Sequence, residues 1–179
     1  HINGNITEAK DSMLYLENIS LNGPVKIDSV KLGEDGTFDF QENAMDSITP
    51  EFYRLRIANQ TINLSIDSTE TVTVKAAYPQ MSYKYEVEGS ENCNTIKELS
   101  LKQMLLQSNI NGIVKNPNIG VDSVDVIVAR MLNDYKQDIK RNYIFKAPMQ
   151  ASSYYALFQT IQLGNKNSLI FNPRNNKED

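Results

Sequence analysis

The sequence has one cysteine and one histidine, and these shortages exclude several kinds of active site. With Cys93 alone, the chain cannot form an internal disulfide, a CxxC redox pair or a cysteine-based zinc site. The histidine is His1, so a Ser-His-Asp triad or a metal site with several histidine ligands would depend on a terminal residue. We therefore predict no catalytic residues, no cofactor and no metal site in this chain.

Long apolar runs and a basic excess are missing as well. No apolar stretch approaches the roughly 20 residues that a membrane-spanning helix needs. The formal net charge is −4 and the pI is about 5.1. This charge argues against nucleic acid or an anionic membrane surface as a main partner, because both attract clustered lysine and arginine. The 179 residues, of which 40% are apolar, suffice for one large domain or a small domain with an appended one.

Residues 1–89 alternate between apolar and polar side chains, and turn signals recur along them. In Phe52–Ile57, for example, Tyr53 and Leu55 share one side of a strand, and the two arginines share the other. This pattern is typical of short strands that bury one face. It predicts an antiparallel sandwich or barrel of about eight strands.

The stretch from Val25 to Phe40 predicts a β-hairpin that turns at Asp35-Gly36, where glycine supplies a positive φ. The apolar positions change parity within the first of its two runs. This change predicts a β-bulge near Asp28-Ser29. Two alternating runs joined by such a turn are the strongest local folding signal in the chain.

After residue 89 the pattern indicates helices. The first is predicted to extend to about residue 108, with Ser90, Asn92 or Asn94 as its N-cap. Residues 109–120 are predicted to form a loop, because they contain two glycines, a proline and four asparagines.

Two further helices are predicted beyond this loop. Asp122 is expected to cap the second, which continues to about residue 145. Its apolar positions recur at helical spacing and form one stripe: Val124, Val128, Met131, Tyr135, Ile139 and Tyr143. The third is predicted from Ser152 or Ser153 to Gly164, with an apolar face of Tyr154, Leu157, Phe158 and Ile161. The fold class is therefore predicted to be α+β, with a β-sandwich domain at 1–89 and a helical region at 90–179.

Short motifs along the chain carry a family resemblance. The segments Ile27–Val30 and Asp35–Phe40 are similar to a "DS…dGxFxF" core. Further segments resemble the opening strand, middle strand, "GS..N" junction and last helix of the same family: Ile2–Ile6, Pro50–Leu55, Gly89–Asn92 and Pro148–Gln159. This family is a periplasmic domain of unknown function that precedes the thioredoxin-like domain in many TlpA/ResA-type thiol–disulfide oxidoreductases of Gram-negative anaerobes.

The resemblance implies a protein of the periplasm or outer cell envelope, secreted or attached by a lipid anchor upstream of His1. Its partner would be the C-terminal thioredoxin-like domain of the same parent chain or another envelope protein, and a homodimer is a further arrangement. No segment here matches the family's CxxC, so its redox residues are not carried over. The function implied is a non-catalytic N-terminal module that positions, dimerises, or binds a substrate or partner.

A free-standing envelope protein that binds glycan or peptide is the alternative. It would use Tyr78, Tyr83 and Tyr85, with Tyr53 on a nearby strand, as a binding platform. Tyrosine is also a common strand residue, so these positions suit a plain sheet equally well.

Charged and thiol side chains allow two interpretations each. Arg54 and Arg56 share a strand face, with Glu51 and Glu88 as nearby acids, and indicate a solvated surface or a carboxylate-binding patch. Cys93 indicates a buried residue in the first turn of a helix, or a regulatory thiol whose pKa the helix N-terminus lowers.

The dipeptide Asp-Ser occurs five times, beginning at Asp11, Asp28, Asp46, Asp67 and Asp122. Eleven Asp and fourteen Ser in 179 residues would give about one such pair by chance. The pairs resemble an O-glycosylation acceptor of periplasmic proteins in the same bacterial group, and Asp-Ser also suits turns and helix caps. The intact mass of the native protein distinguishes these two interpretations.

Overall fold

The computed structural model describes residues 1–20, 22–41, 51–67, 69–147 and 150–171. Within these residues it contains ten β-strands and three α-helices. The chain divides into two compact units, His1–Lys97 and Glu98–Asp179. The predicted domain boundary between residues 89 and 90 follows secondary structure and stays a prediction. The polar sequence also predicts a loop at 41–49 and an irregular end from residue 172. Residues 42–49 and 172–179 lie outside the described residues.

The first unit contains two four-stranded sheets. Their strands are β1 (Ile2–Thr7), β2 (Met13–Ser20), β3 (Gly23–Lys31), β4 (Thr37–Phe40), β5 (Glu51–Ile57), β6 (Gln60–Ile66), β7 (Val72–Ala77) and β8 (Tyr85–Glu88). The first sheet has the order β4-β1-β7-β8 and the second has the order β3-β2-β5-β6. The two sheets pack together, which confirms the predicted sandwich of about eight strands ahead of the helices.

Alternation along the strands buries one side of each sheet. On β5, Tyr53 and Leu55 are at most 1% exposed, whereas Arg54 and Arg56 lie on the other side. Side chains from both sheets form one core, including Ile2, Ile6, Val72 and Val74 from the first sheet and Leu14, Leu16, Leu55 and Leu64 from the second. Burial of each such side chain contributes about 1.5–3 kcal/mol, so this core holds the sheets together.

The strand pairs described are antiparallel except one. Strands β1 and β7 pair in parallel, with Ile2 opposite Val72 and Thr7 opposite Ala77. A parallel pair requires a long crossover connection. Here the connection includes the whole second sheet, so β1 is placed in the sandwich by residues far along the chain.

The predicted hairpin from Val25 to Phe40 is wrong, because its two strands lie in different sheets. Strand β3 pairs with β2, and β4 pairs with β1. The turn itself forms: Gly36 has a φ of +67°, and its carbonyl accepts a hydrogen bond from the Ile6 N–H at 2.9 Å. The turn carries the chain from one sheet to the other instead of folding it back.

The predicted bulge is confirmed in β3. Leu16 lies opposite Asp28 and Glu17 lies opposite Lys26, so Ile27 is the extra residue. Alternation of Tyr83, Tyr85 and Val87 predicts that all three belong to the last strand of the first unit. Tyr83 lies instead in the turn before β8.

Helix α1 (Glu91–Lys115) begins as predicted and ends later than predicted. The Ser90 hydroxyl oxygen accepts a hydrogen bond from the Cys93 N–H at 3.2 Å, which identifies Ser90 as the cap. The loop predicted at 109–120 is wrong for residues 109–115, which continue the helix. Ile110 is buried there, and this burial outweighs the cost of about 1 kcal/mol for Gly112 inside a helix.

Helix α2 (Val121–Ile139) carries the predicted stripe, with Val128, Tyr135 and Ile139 buried. Its N-cap is Gly120, so the predicted cap at Asp122 is wrong. Asp122 instead lies in the first turn, where its negative charge interacts favourably with the positive end of the helix dipole. A π-helical turn, Lys140–Ile144, continues the helix.

Helix α3 (Ala151–Leu157) is shorter than predicted. Its N-cap is Gln150, so Ser152 and Ser153 are not caps; they are buried inside the helix. The predicted apolar face is also wrong, because Tyr154 and Phe158 are 44% and 64% exposed.

A small hairpin that the sequence analysis missed follows α3. It consists of β9 (Thr160–Leu163) and β10 (Lys166–Leu169), with Gly164 in its turn. The side-chain amide of Gln107 covers the outer edge of β9, donating to Gln162 O at 2.9 Å and accepting from Gln162 N at 2.7 Å. The hairpin is thereby attached to α1.

Candidate functional site

The outer face of the second sheet carries a buried carboxylate between two arginines. Arg54 Nε donates to Glu17 Oε1 at 3.0 Å, and Arg56 Nε donates to the same oxygen at 2.7 Å. The Glu17 side chain is 8% exposed, while those of Arg54 and Arg56 are 27% and 30% exposed. The guanidinium groups therefore cover the carboxylate and reach solvent themselves.

The charge of Glu17 is retained in the fold. Burial raises the pKa of Glu17, but the hydrogen bonds and charges of Arg54 and Arg56 outweigh this effect and leave the pKa below its ordinary range. Arg56 also donates to Ala58 O at 3.1 Å. Both guanidinium groups are thus fixed in orientation before any ligand arrives.

A tyrosine and a lysine complete this cluster. The Arg56 guanidinium carbon lies 4.7 Å from the centroid of the Tyr15 ring, and Lys26 Nζ lies 5.6 Å from it. Cations at such distances are attracted to the ring face. We call the set Tyr15, Glu17, Lys26, Arg54 and Arg56 the arginine face.

The acids that the sequence analysis placed near Arg54 and Arg56 are elsewhere. Glu51 accepts hydrogen bonds from Asn18 and from the Tyr53 hydroxyl, and Glu88 belongs to the first sheet. Glu17 was missed as the partner. Its position on the wet side of β2 was readable from alternation, but the pairing of β2 with β5 was not.

The predicted tyrosine platform does not form. Tyr53 and Tyr85 are 1% and 4% exposed, and Tyr78 packs against the core. Burial, together with the charge of Glu51, raises the pKa of Tyr53 to about 12. Tyr83 is the exposed member of the group, at 52%. Three of the four tyrosines therefore pack in or against the core, and the four do not form a common exposed surface.

Cys93 is buried, as the first interpretation predicted. Its Sγ donates to Ser65 O at 3.3 Å and accepts from Ser65 N at 3.4 Å. Burial raises the pKa of the Cys93 thiol, which is opposite to the lowering that a regulatory thiol requires. The thiol therefore satisfies the backbone N–H and carbonyl of Ser65 at the edge of β6.

The helical unit contains an open groove of about 710 Å³ between α1, α2 and the small hairpin. Its apolar lining includes Val114, Val128, Leu132 and Leu163. Val114 is 57% exposed and Leu163 is 36% exposed. An open apolar depression of this kind suits a docking segment of a partner protein.

A buried network of hydrogen bonds within the helical unit joins Tyr135, Gln159 and Leu99. The Tyr135 hydroxyl donates to Gln159 Oε1 at 2.5 Å, and Gln159 Nε2 donates to Leu99 O at 2.9 Å. Burial raises the pKa of Tyr135, so its hydroxyl stays neutral. These bonds fix the segment between α3 and the hairpin, and they serve packing.

The fully described Asp-Ser pairs lie just before β2, within β3 and in the first turn of α2, and their exposure differs. Ser123 is exposed, while Ser12 and Ser29 are half-buried. Within β3, Asp28 Oδ1 accepts a hydrogen bond from the Ser29 N–H at 2.7 Å. Ser47 and Ser68 lie outside the described residues, and both interpretations of the pairs remain predictions.

Metal and membrane features are limited in the part of the chain that the structure describes. No group of three or more His, Cys, Asp or Glu side chains there could hold a metal ion. None of the helices in those segments is both long enough and apolar enough to cross a membrane.

Comparisons with known proteins relate the first unit to one family. The sequence pattern named "Domain of unknown function (DUF4369)" matches residues 1–96. No curated protein matches the chain. Among solved structures, an (S)-allantoin synthase is similar at 9% identity and a TM-score of 0.34, over 50% of this chain and 43% of that one. By its match over more than half of its length, the chain belongs to the DUF4369 family.

Proposed function

We propose that this chain is a non-catalytic N-terminal module of a cell-envelope thiol–disulfide oxidoreductase. In this role it positions a partner or substrate for a thioredoxin-like domain that follows in the same parent chain. The observation that carries the proposal is the motif from Asp35 to Phe40. This motif forms the turn between the two sheets, within the domain that the family pattern covers.

The groove of the helical unit supports the partner-binding part of the proposal. Val114 and Leu163 expose apolar surface that the described residues do not cover. Apolar side chains in a depression provide the centre of a protein–protein contact, and polar neighbours such as Lys115 and Asp125 provide its rim. A folded domain following the helical unit is the occupant that we propose.

Localisation is part of the same proposal. We place the protein in the periplasm or outer envelope, where thiol–disulfide exchange proteins of this type act, with a lipid anchor as the membrane attachment. A homodimer is a second arrangement in which two such modules would present their thioredoxin-like domains together.

The test is the gene beyond the codon for Asp179. We expect the reading frame to continue into a thioredoxin-like domain with a CxxC motif. A stop codon directly after Asp179 would contradict the proposal. A fused domain of another class would also overturn it, because the module would then serve a different activity.

A further inference from the structure

The outer face of the second sheet is basic although the chain as a whole is acidic. Strand register places Lys26, Lys31, Arg54 and Arg56 on this face. Two carboxylates offset part of this charge: Glu17 lies between the arginines, and Asp11 pairs with Lys31 Nζ at 3.3 Å. The chain as a whole carries a formal charge of −4, so this excess of cations is a local feature.

The arginines on this face keep donors for a ligand. Each directs its Nε–H at Glu17, which is buried beneath them. Arg54 Nη1 and Arg56 Nη2 form no hydrogen bond with other described residues, and both side chains reach solvent. Because Glu17 fixes the guanidinium planes, a ligand would not bear the full entropy cost of ordering them.

The spacing of these cations fits an extended peptide. Arg54 and Arg56 are two residues apart on one strand, so they recur at about 7 Å. Alternate side chains of an extended peptide recur at the same distance, about 7 Å. Lys26 lies two strands away across the sheet, at about 10 Å, within reach of a third acidic side chain.

We propose that this face binds an acidic segment of a partner protein in extended conformation, with carboxylates at alternate positions. Arg54 and Arg56 take two successive carboxylates, and Lys26 and Lys31 contribute long-range attraction. Charge complementarity favours this occupant, because a fixed guanidinium fork matches the geometry of a carboxylate. This inference does not depend on the thioredoxin-like context proposed above.

The test uses this chain and a fluorescein-labelled peptide, Gly-Glu-Val-Glu-Val-Gly, followed by fluorescence anisotropy. We expect saturable binding that weakens as salt rises from 20 to about 150 mM, because exposed charges are screened. The same peptide with Gln in place of Glu should not bind. Backbone and Nε–H signals of Arg54 and Arg56 should shift in NMR spectra when the Glu peptide is added.

The variants are chosen so that the fold is kept. Arg54→Gln would leave a buried carboxylate poorly compensated, so the lysines are replaced first. The double variant Lys26→Gln/Lys31→Gln should weaken peptide binding by about three- to tenfold at low salt. Lys75→Gln, on the first sheet, is the matched control and should bind the peptide as the native chain does.

Several results would overturn the inference. They are no saturable binding at millimolar peptide, equal binding of the Gln peptide, and an equal loss with Lys75→Gln. Tighter binding of oligo-dT or of anionic phospholipid vesicles, lost in the lysine double variant, would assign the face to phosphate ligands instead. Concentration-dependent self-association abolished by the same variant would assign it to a second copy of this chain.

Discussion

The carboxylate of Glu17 lies beneath two guanidinium groups, and its charge stabilises the fold only while it is ionised. Its pKa in the folded protein is lowered, so the unfolded chain binds the proton more readily. The stabilisation is therefore complete above the unfolded pKa of about 4.3 and is lost as pH falls through the lower folded value.

We expect Glu17→Gln to cost about 2 kcal/mol at pH 7, because two charge-assisted hydrogen bonds are weakened. The difference between native chain and variant should shrink between about pH 5 and pH 3. Urea unfolding followed by circular dichroism measures both quantities. Glu34→Gln is the control, since Glu34 is 83% exposed in its pair with Lys10 and should change stability little. Parallel pH profiles for the native chain and Glu17→Gln would contradict this account.

Gly36 is required in the turn between the two sheets for two reasons. Its φ is +67°, and a Cβ there would lie 1.9 Å from Ile6 O. The same Ile6 donates its N–H to Gly36 O, so the two backbones cannot separate without losing that bond.

Gly36→Ala should therefore destabilise the sandwich by more than about 1 kcal/mol, the cost of a left-handed conformation for alanine. Gly33→Ala, three residues earlier, is the matched control, because its nearest atom outside the neighbours is 3.8 Å away. Thermal unfolding of both variants measures the difference. Equal melting temperatures would show that the turn can adjust.

At the residue scale, the sequence predicted which side chains face solvent, but it did not predict which residues they contact. Alternation correctly placed Arg54 and Arg56 on the wet side of a strand. It could not identify Glu17, because that contact depends on which strands are neighbours. The burial of Cys93 was correctly predicted, because free cysteine behaves as a small apolar residue that is usually buried. The hydrogen bonds of its thiol to Ser65 depend on tertiary structure.

At the scale of elements, the low helix propensity of residues 109–115 in α1 is opposed by the burial of their apolar side chains. Gly112 and two asparagines made residues 109–115 resemble a loop in the sequence. The structure keeps them helical because Ile110 is buried at 1% exposure and Ile113 packs against the same cluster. Gly112 itself is exposed, and a Cβ there would meet nothing within 4 Å.

Gly112→Ala should raise the free energy of unfolding by about 0.5–1 kcal/mol, because alanine favours the helix and restricts the unfolded chain. Gly112→Pro should lower it by about 3 kcal/mol. Chemical denaturation of the two variants tests this pair. If residues 109–115 formed a loop, proline would be tolerated and alanine would bring no gain.

The elements with the strongest periodicity were predicted best. The strands of the first unit and the stripe of α2 follow from alternation and helical spacing alone. The strand partners of β3 and β4 did not follow from the sequence. The Asp35-Gly36 turn has the sequence of a hairpin, but β3 and β4 lie in different sheets on opposite sides of the core. The hairpin of β9 and β10 was missed because its strands are short and mostly exposed.

At the scale of the whole molecule, the two units differ in the kind of surface that they expose to solvent. The sandwich unit closes its apolar core and exposes a basic sheet face. The helical unit keeps apolar surface at its groove, where Val114 on α1 is 57% exposed. We expect the groove to bind a folded partner domain, because exposed apolar side chains gain most when they are covered.

If the parent chain contains a thioredoxin-like domain, that domain produced alone should bind this chain, and Val114→Asp should weaken the binding at least about tenfold. Val126→Asp is the matched control: Val126 is 60% exposed on α2 but does not line the groove, and it should leave affinity within about twofold. Isothermal titration calorimetry gives the affinities, and circular dichroism confirms that both variants fold. An equal effect of the two aspartates would indicate nonspecific contact. Unchanged affinity with Val114→Asp would place the docking surface outside the groove, because an unpaired carboxylate buried in an apolar contact is too costly to escape detection.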